Sequence, residues 1–174
     1  MLSRRQWLLS VASSCLLMST VVQAEALPAD FQAKADKGIQ VLKQLAGDAA
    51  IVAAAKAGTP AAGMTNAKWS DLTDQDATVK AMGTAAVSAK LTPPAGMGKL
   101  FLRDKDGNLV AFKGDKPFLF NIANRPNYKK SITGEDFIAD KVAPDPSTQK
   151  PSVQIAVAVK DGVTVVGVLH ASVE

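Results

Sequence analysis

Residues 153–173 read VQIAVAVKDGVTVVGVLHASV, and apolar residues alternate with small or polar ones on both sides of Lys160-Asp161-Gly162. Alternation with a period of two is the pattern of a half-buried β-strand. Asp-Gly between two such runs is typical of a hairpin turn, because glycine accepts the positive φ that the turn needs. The end of the chain is therefore predicted to form two long antiparallel strands.

A second hairpin is predicted upstream, where the apolar runs 99–103 and 108–112 flank another Asp-Gly pair, Asp106-Gly107. Shorter elements are predicted after it: a short helix opened by Pro126 and a strand at 137–139. The second half of the chain is thus predicted to be mainly antiparallel sheet.

The preceding part of the chain has helical spacing. From residue 28 to 56, apolar residues recur every three or four positions, with lysine, glutamine and aspartate on the other face. One continuous helix of this length would be roughly 40 Å long, so we expect part of it to project or to pair with another subunit. A second helix is predicted from Asp71 or Thr73 to about Lys90. Helices followed by antiparallel hairpins predict an α+β fold with helices on one face of the sheet.

The first 24 residues have the pattern of a secretory signal peptide. Arg4 and Arg5 precede an uncharged run from Trp7 to Val22, and small residues at the −3 and −1 positions predict cleavage after Ala24. The apolar run, about 16 residues, is shorter than the roughly 20 that span a bilayer. The paired arginines also resemble a twin-arginine signal, so the export route is Sec or Tat. We expect a periplasmic protein.

Removal of this signal changes the charge and the chemistry of the chain. The full sequence of 174 residues has 20 basic and 16 acidic side chains, with one histidine and one cysteine. Arg4, Arg5 and Cys15 leave with the signal, so the mature chain is thiol-free and its net charge is about +2. No basic stripe with aromatic residues marks a nucleic-acid face, and a zinc site of Cys and His lacks enough ligands. We expect no nucleic-acid partner, no metal and no cofactor.

His170, the only histidine, lies on the last predicted strand. It is either a half-buried sheet residue or a side chain that faces a ligand. No nucleophile in a recognisable elbow, no glycine-rich phosphate loop and no paired carboxylates accompany it. Nothing in the sequence marks the chain as an enzyme.

The segment FLFNIANRPNY, residues 118–128, mixes apolar and hydrogen-bonding side chains as pockets for small polar molecules do. Arg125 could hold a carboxylate through two parallel hydrogen bonds, and Tyr128 adds a hydroxyl on a rigid ring. The alternative is that Arg125 pairs with a structural carboxylate such as Asp140 while Tyr128 belongs to the core. The candidate ligand-binding residues of this segment are Phe118, Phe120, Asn124, Arg125, Asn127 and Tyr128.

An ordered set of segments resembles the Cache family (PDC, PAS-like), which consists of extracytoplasmic sensor domains. The segments are RDKDGNLV (103–110), NRPNY (124–128), GEDFIAD (134–140), DPSTQKPSV (145–153) and VVGVLHASV (165–173). The predicted long helix also fits, so the resemblance covers nearly all of residues 28–173.

This resemblance implies a single Cache domain: a long N-terminal helix, an antiparallel sheet of about five strands, and a pocket between the sheet and residues 118–141. Amino-acid-binding members have Arg-x-Trp-Tyr in this place, and Arg125 and Tyr128 match its Arg and Tyr. Asn127 stands where Trp is expected, and Ser172 stands about where an amine-binding Asp would fall. A buried ammonium without a counter-charge is costly, so a carboxylate or a neutral polar metabolite fits better than an α-amino acid.

The predicted organisation is a signal peptide (1–24), a long helix (25–58) and a ligand-binding region (59–174). Cache domains usually sit outside a membrane receptor, and the chain ends directly after its last predicted strand. We therefore expect a periplasmic small-molecule sensor that signals through a separate membrane receptor or transporter. Asp140, His170 and Ser172 are expected on the far side of its pocket. The alternative is a ligand-free accessory or dimerisation module, with a possible homodimer through the N-terminal helix.

Overall fold

The computed structural model of this chain describes residues 26–146 and 148–174. The predicted signal peptide, with Arg4, Arg5 and Cys15, lies outside the described residues.

The N-terminal region forms two helices, α1 (Ala29–Ala46) and α2 (Ala49–Ala57), where the sequence predicts one. The chain breaks at Asp48, which has extended backbone angles and accepts a hydrogen bond from the backbone N–H of Ala50 at 2.7 Å. Aspartate at this position satisfies an amide that would otherwise lack a partner, so it begins a new helix. The prediction of a single helix over 28–56 is wrong. With α1 only roughly 27 Å long, its length no longer requires it to project.

The predicted second helix is also shorter than expected. Two short helices, α3 (Asn66–Ser70) and α4 (Ala77–Thr84), precede a 3₁₀ turn at Ala86–Ala89. The Asp76 carboxylate accepts hydrogen bonds from the N–H and the hydroxyl of Thr73 at 2.7 and 2.8 Å. These bonds hold the chain in a turn up to Asp76, so the helix begins at Ala77 and not at Asp71 or Thr73. The last helix, α5, runs from Pro126 to Ser131, with the proline in its first turn as predicted.

Six antiparallel strands complete the α+β fold and confirm the predicted fold class. They are β1 (Met97–Asp104), β2 (Leu109–Lys113), β3 (Phe137–Ile138), β4 (Ala143–Pro144), β5 (Pro151–Asp161) and β6 (Thr164–Val173). Five of them form the order β2-β1-β6-β5-β3, and β4 pairs with β5. Both predicted hairpins are present, with positive φ at Gly107 (82°) and Gly162 (61°).

The sheet has two faces of different character. On the helix face, residues such as Leu102, Ile155 and Leu169 are buried against α1 and α2 in the main apolar core. Gly38 of α1 lets the helix approach the sheet closely, because a Cβ there would stand 2.5 Å from the Ile155 side chain. The opposite face, called the cavity face here, bears Lys99, Phe101 and Arg103 of β1 and His170 of β6.

Candidate functional site

A cavity of about 510 Å³ lies between the cavity face of the sheet and the loops that follow β2 and β3. Its floor is formed by strands β1, β5 and β6, and its walls by residues 116–127 and 137–146. The floor residues are Lys99, Phe101, Arg103, Ser152, Gln154 and His170. This is the volume range of small-molecule sites, and most of the wall is apolar.

Alternation along β1 places charged side chains on the floor. Leu100 and Leu102 point to the helix face, so Lys99 and Arg103 point to the other face with Phe101 between them. The register pairs Phe101 with His170, whose ring lies 4.8 Å from the Phe101 ring. The same register brings Arg103 within hydrogen-bond distance of His170, which lies 67 positions further along the sequence.

Arg103 is the most deeply buried cation of the cavity, with 1% of its surface exposed. Its guanidinium donates to His170 Nε2 at 3.0 Å, to the Leu119 carbonyl at 3.1 Å and to the Phe120 carbonyl. Burial lowers the pKa of Arg103 to about 9, while the charge of Asp104 acts in the opposite direction. Arg103 therefore stays charged at pH 7.

His170 is buried in its neutral form. Burial and the neighbouring Arg103 charge hold the pKa of His170 well below its usual value. Because Nε2 accepts the Arg103 hydrogen bond, the ring proton resides on Nδ1. Within the described residues, that Nδ1 has no hydrogen-bond partner.

A buried ion pair forms the other end of the floor. The Lys99 ammonium lies 2.9 Å from the Asp145 carboxylate, and both side chains are almost fully buried. A second carboxylate, from the exposed Asp115, lies 3.7 Å from the same ammonium. The charge of Lys99 is thus balanced by the protein itself.

Five of the nine predicted site residues line the cavity: Phe118, Arg125, Asn127, Asp140 and His170. Phe118 is 72% exposed at the mouth, and Arg125 is exposed directly before α5. The alternative pairing of Arg125 with Asp140 does not occur among the ion pairs of the described residues. The polar end of Arg125 is thus available at the rim.

The other four predicted residues lie outside the cavity lining. Tyr128 is buried, and its hydroxyl donates to the Asp104 carbonyl at 3.1 Å. Burial, helped by the charges of Asp104 and Asp106, raises the pKa of Tyr128 to about 12. Phe120 packs against Trp69 in a separate core cluster, Asn124 is exposed, and Ser172 is buried on β6.

The predictions missed most of the floor: Lys99, Phe101, Arg103, Ser152 and Gln154, together with Asp145 beside it. A signal for the first three was present, since two charged residues alternate with leucines on a strand inside the predicted sheet. In residues 26–146 and 148–174, no group of three His, Cys, Asp or Glu side chains could hold a metal ion. No helix in that part of the chain is long and apolar enough to cross a bilayer.

No model of a protein family matches the sequence, and no curated protein does. Solved structures do resemble this fold. The sensor domain of the Vibrio cholerae histidine kinase DctB is 17% identical, with a TM-score of 0.47 over 83% of this chain and 55% of that one. The ligand-binding domain of the Pseudomonas fluorescens chemoreceptor CtaA, in complex with L-leucine, is 17% identical, with a TM-score of 0.45 over 83% and 52%.

A third is the ligand-binding domain of the Pseudomonas aeruginosa amino acid chemoreceptor PctC in complex with GABA. It is 12% identical, with a TM-score of 0.49 over 83% of this chain and 55% of that one. The chain thus spans about half the length of these structures. The likeness is one of fold only. At these identities and TM-scores it transfers no ligand to this chain.

Proposed function

We propose that this chain is a periplasmic, Cache-type sensory protein that binds a polar or carboxylate metabolite and signals through a separate membrane partner. The observation that carries the proposal is the cavity of about 510 Å³ with mainly apolar walls and a buried cation in its floor. Such a combination gives a ligand both burial and a fixed orientation. It is unusual as a purely structural feature, because a buried guanidinium needs compensation.

The lining residues have complementary roles in this proposal. Arg125 provides a guanidinium fork at the rim, and Asn127 and Asp140 provide hydrogen-bonding groups beside it. Phe118 and Pro117 form an apolar wall near the mouth. Tyr128 acts from behind the site, since its bond to the Asp104 carbonyl fixes the end of β1 that carries Arg103.

The first experiment asks whether a ligand is retained. The full chain is expressed and the protein is purified without refolding, then examined by native mass spectrometry. We expect an added mass that disappears after denaturation. The same preparation is screened by thermal shift against organic acids, amino acids, purines and amines. A ligand at about 100 times its Kd should stabilise the protein by roughly 2.7 kcal/mol.

The site assignment is tested with a matched pair of variants. Arg125→Ala removes a cation from the rim, while Lys129→Ala removes one from the exposed side of α5, outside the cavity lining. The thermal shift given by a hit should fall with Arg125→Ala and persist with Lys129→Ala. Equal thermal shifts in both variants would show that Arg125 does not contribute to ligand binding. A protein that binds nothing in the whole panel would leave the accessory-module alternative as the better description.

A further inference from the structure

Arg103 is fully buried, yet it forms no ion pair with a carboxylate of the described residues. In the described residues, the recorded ion pairs involve only lysine as the cation, so none joins Arg103 to an acid. Its three hydrogen bonds go to two carbonyl groups and a neutral imidazole. A guanidinium has five N–H donors, so two remain for another acceptor.

The neighbouring carboxylates of Asp104 and Asp145 make their hydrogen bonds and ion pairs with groups other than Arg103, although the Asp104 charge acts on Arg103 from a distance. The Asp104 carboxylate accepts hydrogen bonds from the N–H groups of Thr59, Asp106 and Asn108, and so it serves the turn of the hairpin. Asp145 pairs with Lys99 at the other end of the floor. His170 cannot compensate the charge, since it is neutral. The positive charge of Arg103 is thus buried in the cavity lining and is only partly compensated by negative charge.

The described residues that line the cavity carry an excess of positive charge. Its lining contains five cationic side chains and two acidic ones, and one of those acids, Asp145, is paired with a lysine. An ammonium group would find only Asp140 as an acidic partner and would face an excess of positive charge. A carboxylate would instead lower the cost of burying Arg103.

We propose that the counter-ion of Arg103 is the carboxylate of the ligand itself, so that the ligand class is an organic acid with an apolar body and no ammonium group. This inference rests on the proposed function and specifies its ligand. The carboxylate lies at the floor against Arg103. The apolar body extends along Phe101 and Ile122 toward Pro117 and Phe118 at the mouth.

Matched triads of ligands test the charge requirement on the unchanged protein. Each triad keeps one carbon skeleton and presents it as the carboxylate, the primary amide and the α-amino acid. 4-Methylpentanoate, 4-methylpentanamide and leucine form one triad, and the phenyl and indole skeletons form two others. Calorimetry should show the carboxylate of at least one skeleton binding about 30-fold more tightly than its amide, which loses a charged hydrogen bond. The amino acid keeps the carboxylate, but its ammonium meets an excess of positive charge, so it should also bind about 30-fold more weakly.

The outcomes separate this inference from the proposed function. If an amide or amino acid binds within about threefold of its carboxylate, the charge requirement is wrong although the cavity is a ligand site. If only amines or purines of the screening panel bind, the inference also fails and the proposed function stands. If nothing in the panel or the triads binds, both fail.

Three variants then test whether Arg103 is the cation that binds the ligand carboxylate. Arg103→Gln removes the positive charge, Arg103→Lys keeps it, and Lys129→Gln makes the same charge change outside the cavity. Carboxylate affinity should fall about 30-fold in Arg103→Gln and stay within about tenfold in Arg103→Lys, with no change in Lys129→Gln. If Arg103→Gln does not fold, Arg103→Lys and the triads still decide. Unchanged carboxylate affinity in a folded Arg103→Gln protein would show that Arg103 is not the partner of the ligand carboxylate.

Discussion

His170 is a titratable side chain whose burial makes folding depend on pH. Its pKa in the folded protein lies well below 6.5, because burial and the Arg103 charge disfavour the imidazolium. Below pH 6.5, His170 binds a proton in the unfolded chain but stays neutral in the folded chain. The stability due to neutral His170 is therefore complete above pH 6.5 and is lost as the pH falls. The free energy of unfolding should therefore be lower at pH 5.5 than at pH 7.5.

Urea denaturation of the wild type and of His170→Gln at these two pH values measures the effect. The glutamine oxygen can still accept a hydrogen bond from Arg103, but the side chain does not titrate. The free energy of unfolding should fall more in the wild type than in the variant on going to pH 5.5, since the carboxylates change equally in both. An identical loss in the two proteins would show that His170 can be protonated in the fold.

Trp69 connects the core to the rim of the cavity. Its indole N–H donates to the Pro117 carbonyl at 2.7 Å, and its ring packs 5.6 Å from Phe120. Trp69→Phe would leave a buried carbonyl without its donor, at a cost of about 1–3 kcal/mol in the free energy of unfolding. The segment that carries Phe118 should then open more often, and hydrogen exchange of residues 116–119 should speed up.

Lys116→Met is the control for this variant. The Lys116 ammonium lies 4.9 Å from the centre of the Trp69 ring, and its removal leaves the indole hydrogen bond intact. We expect a loss of less than about 1 kcal/mol and little change in exchange. Faster exchange in Lys116→Met than in Trp69→Phe would mean that the cation, and not the hydrogen bond, holds the rim.

The contact between β1, β6 and α2 depends on a glycine. A Cβ at Gly167 would stand 2.2 Å from the Arg103 carbonyl oxygen and 2.9 Å from the Ala55 Cβ. Backbone on one side and a packed helix on the other leave no room for relaxation. Gly167→Ala should therefore lower the free energy of unfolding by about 3 kcal/mol, at the upper end of ordinary overpacking effects. Chemical denaturation measures this directly.

Gly47→Ala is the matched substitution at an unconstrained glycine. Gly47 has ordinary helical angles at the end of α1, and a Cβ there would meet its nearest neighbour at 3.5 Å. Alanine restricts the unfolded chain without strain in the folded one, so we expect a gain of about 0.5 kcal/mol. If both alanine variants were equally destabilised, close packing at Gly167 would not be the reason.

The accuracy of sequence-based prediction differs between the elements for physical reasons. Both long hairpins were predictable, because alternation and an Asp-Gly turn are local properties. The break between α1 and α2 could not be predicted, because the helical spacing of apolar residues continues across it. Only one capping hydrogen bond, from the Ala50 N–H to the Asp48 carboxylate, favours the break over an uninterrupted helix. The pairing of Arg103 with His170 depends on the register of β1 and β6, which no local pattern specifies.

In the molecule as a whole, the two faces of the sheet separate the main apolar core from the cavity. The helix face is closed by α1 and α2 over a continuous apolar core, whereas the cavity face carries the buried charges and is roofed by loops. Substitutions in these loops can therefore change the lining of the cavity without opening the main core. The predicted homodimer has no support from the length of α1, whose inner residues already pack on the sheet, and it stays a prediction.

The predicted signal peptide bears on the covalent form of the chain. The signal pattern predicts that the exported protein begins at Glu25 and contains no thiol, because Cys15 is the only cysteine. Intact-mass measurement of protein from the periplasm should show the loss of residues 1–24, and thiol titration in denaturant should give zero. Ala24→Asp places a charge at the −1 position and should leave an uncleaved chain with one reactive thiol. Wild-type protein recovered with its leader and one thiol would overturn the cleavage prediction and favour a membrane-attached protein.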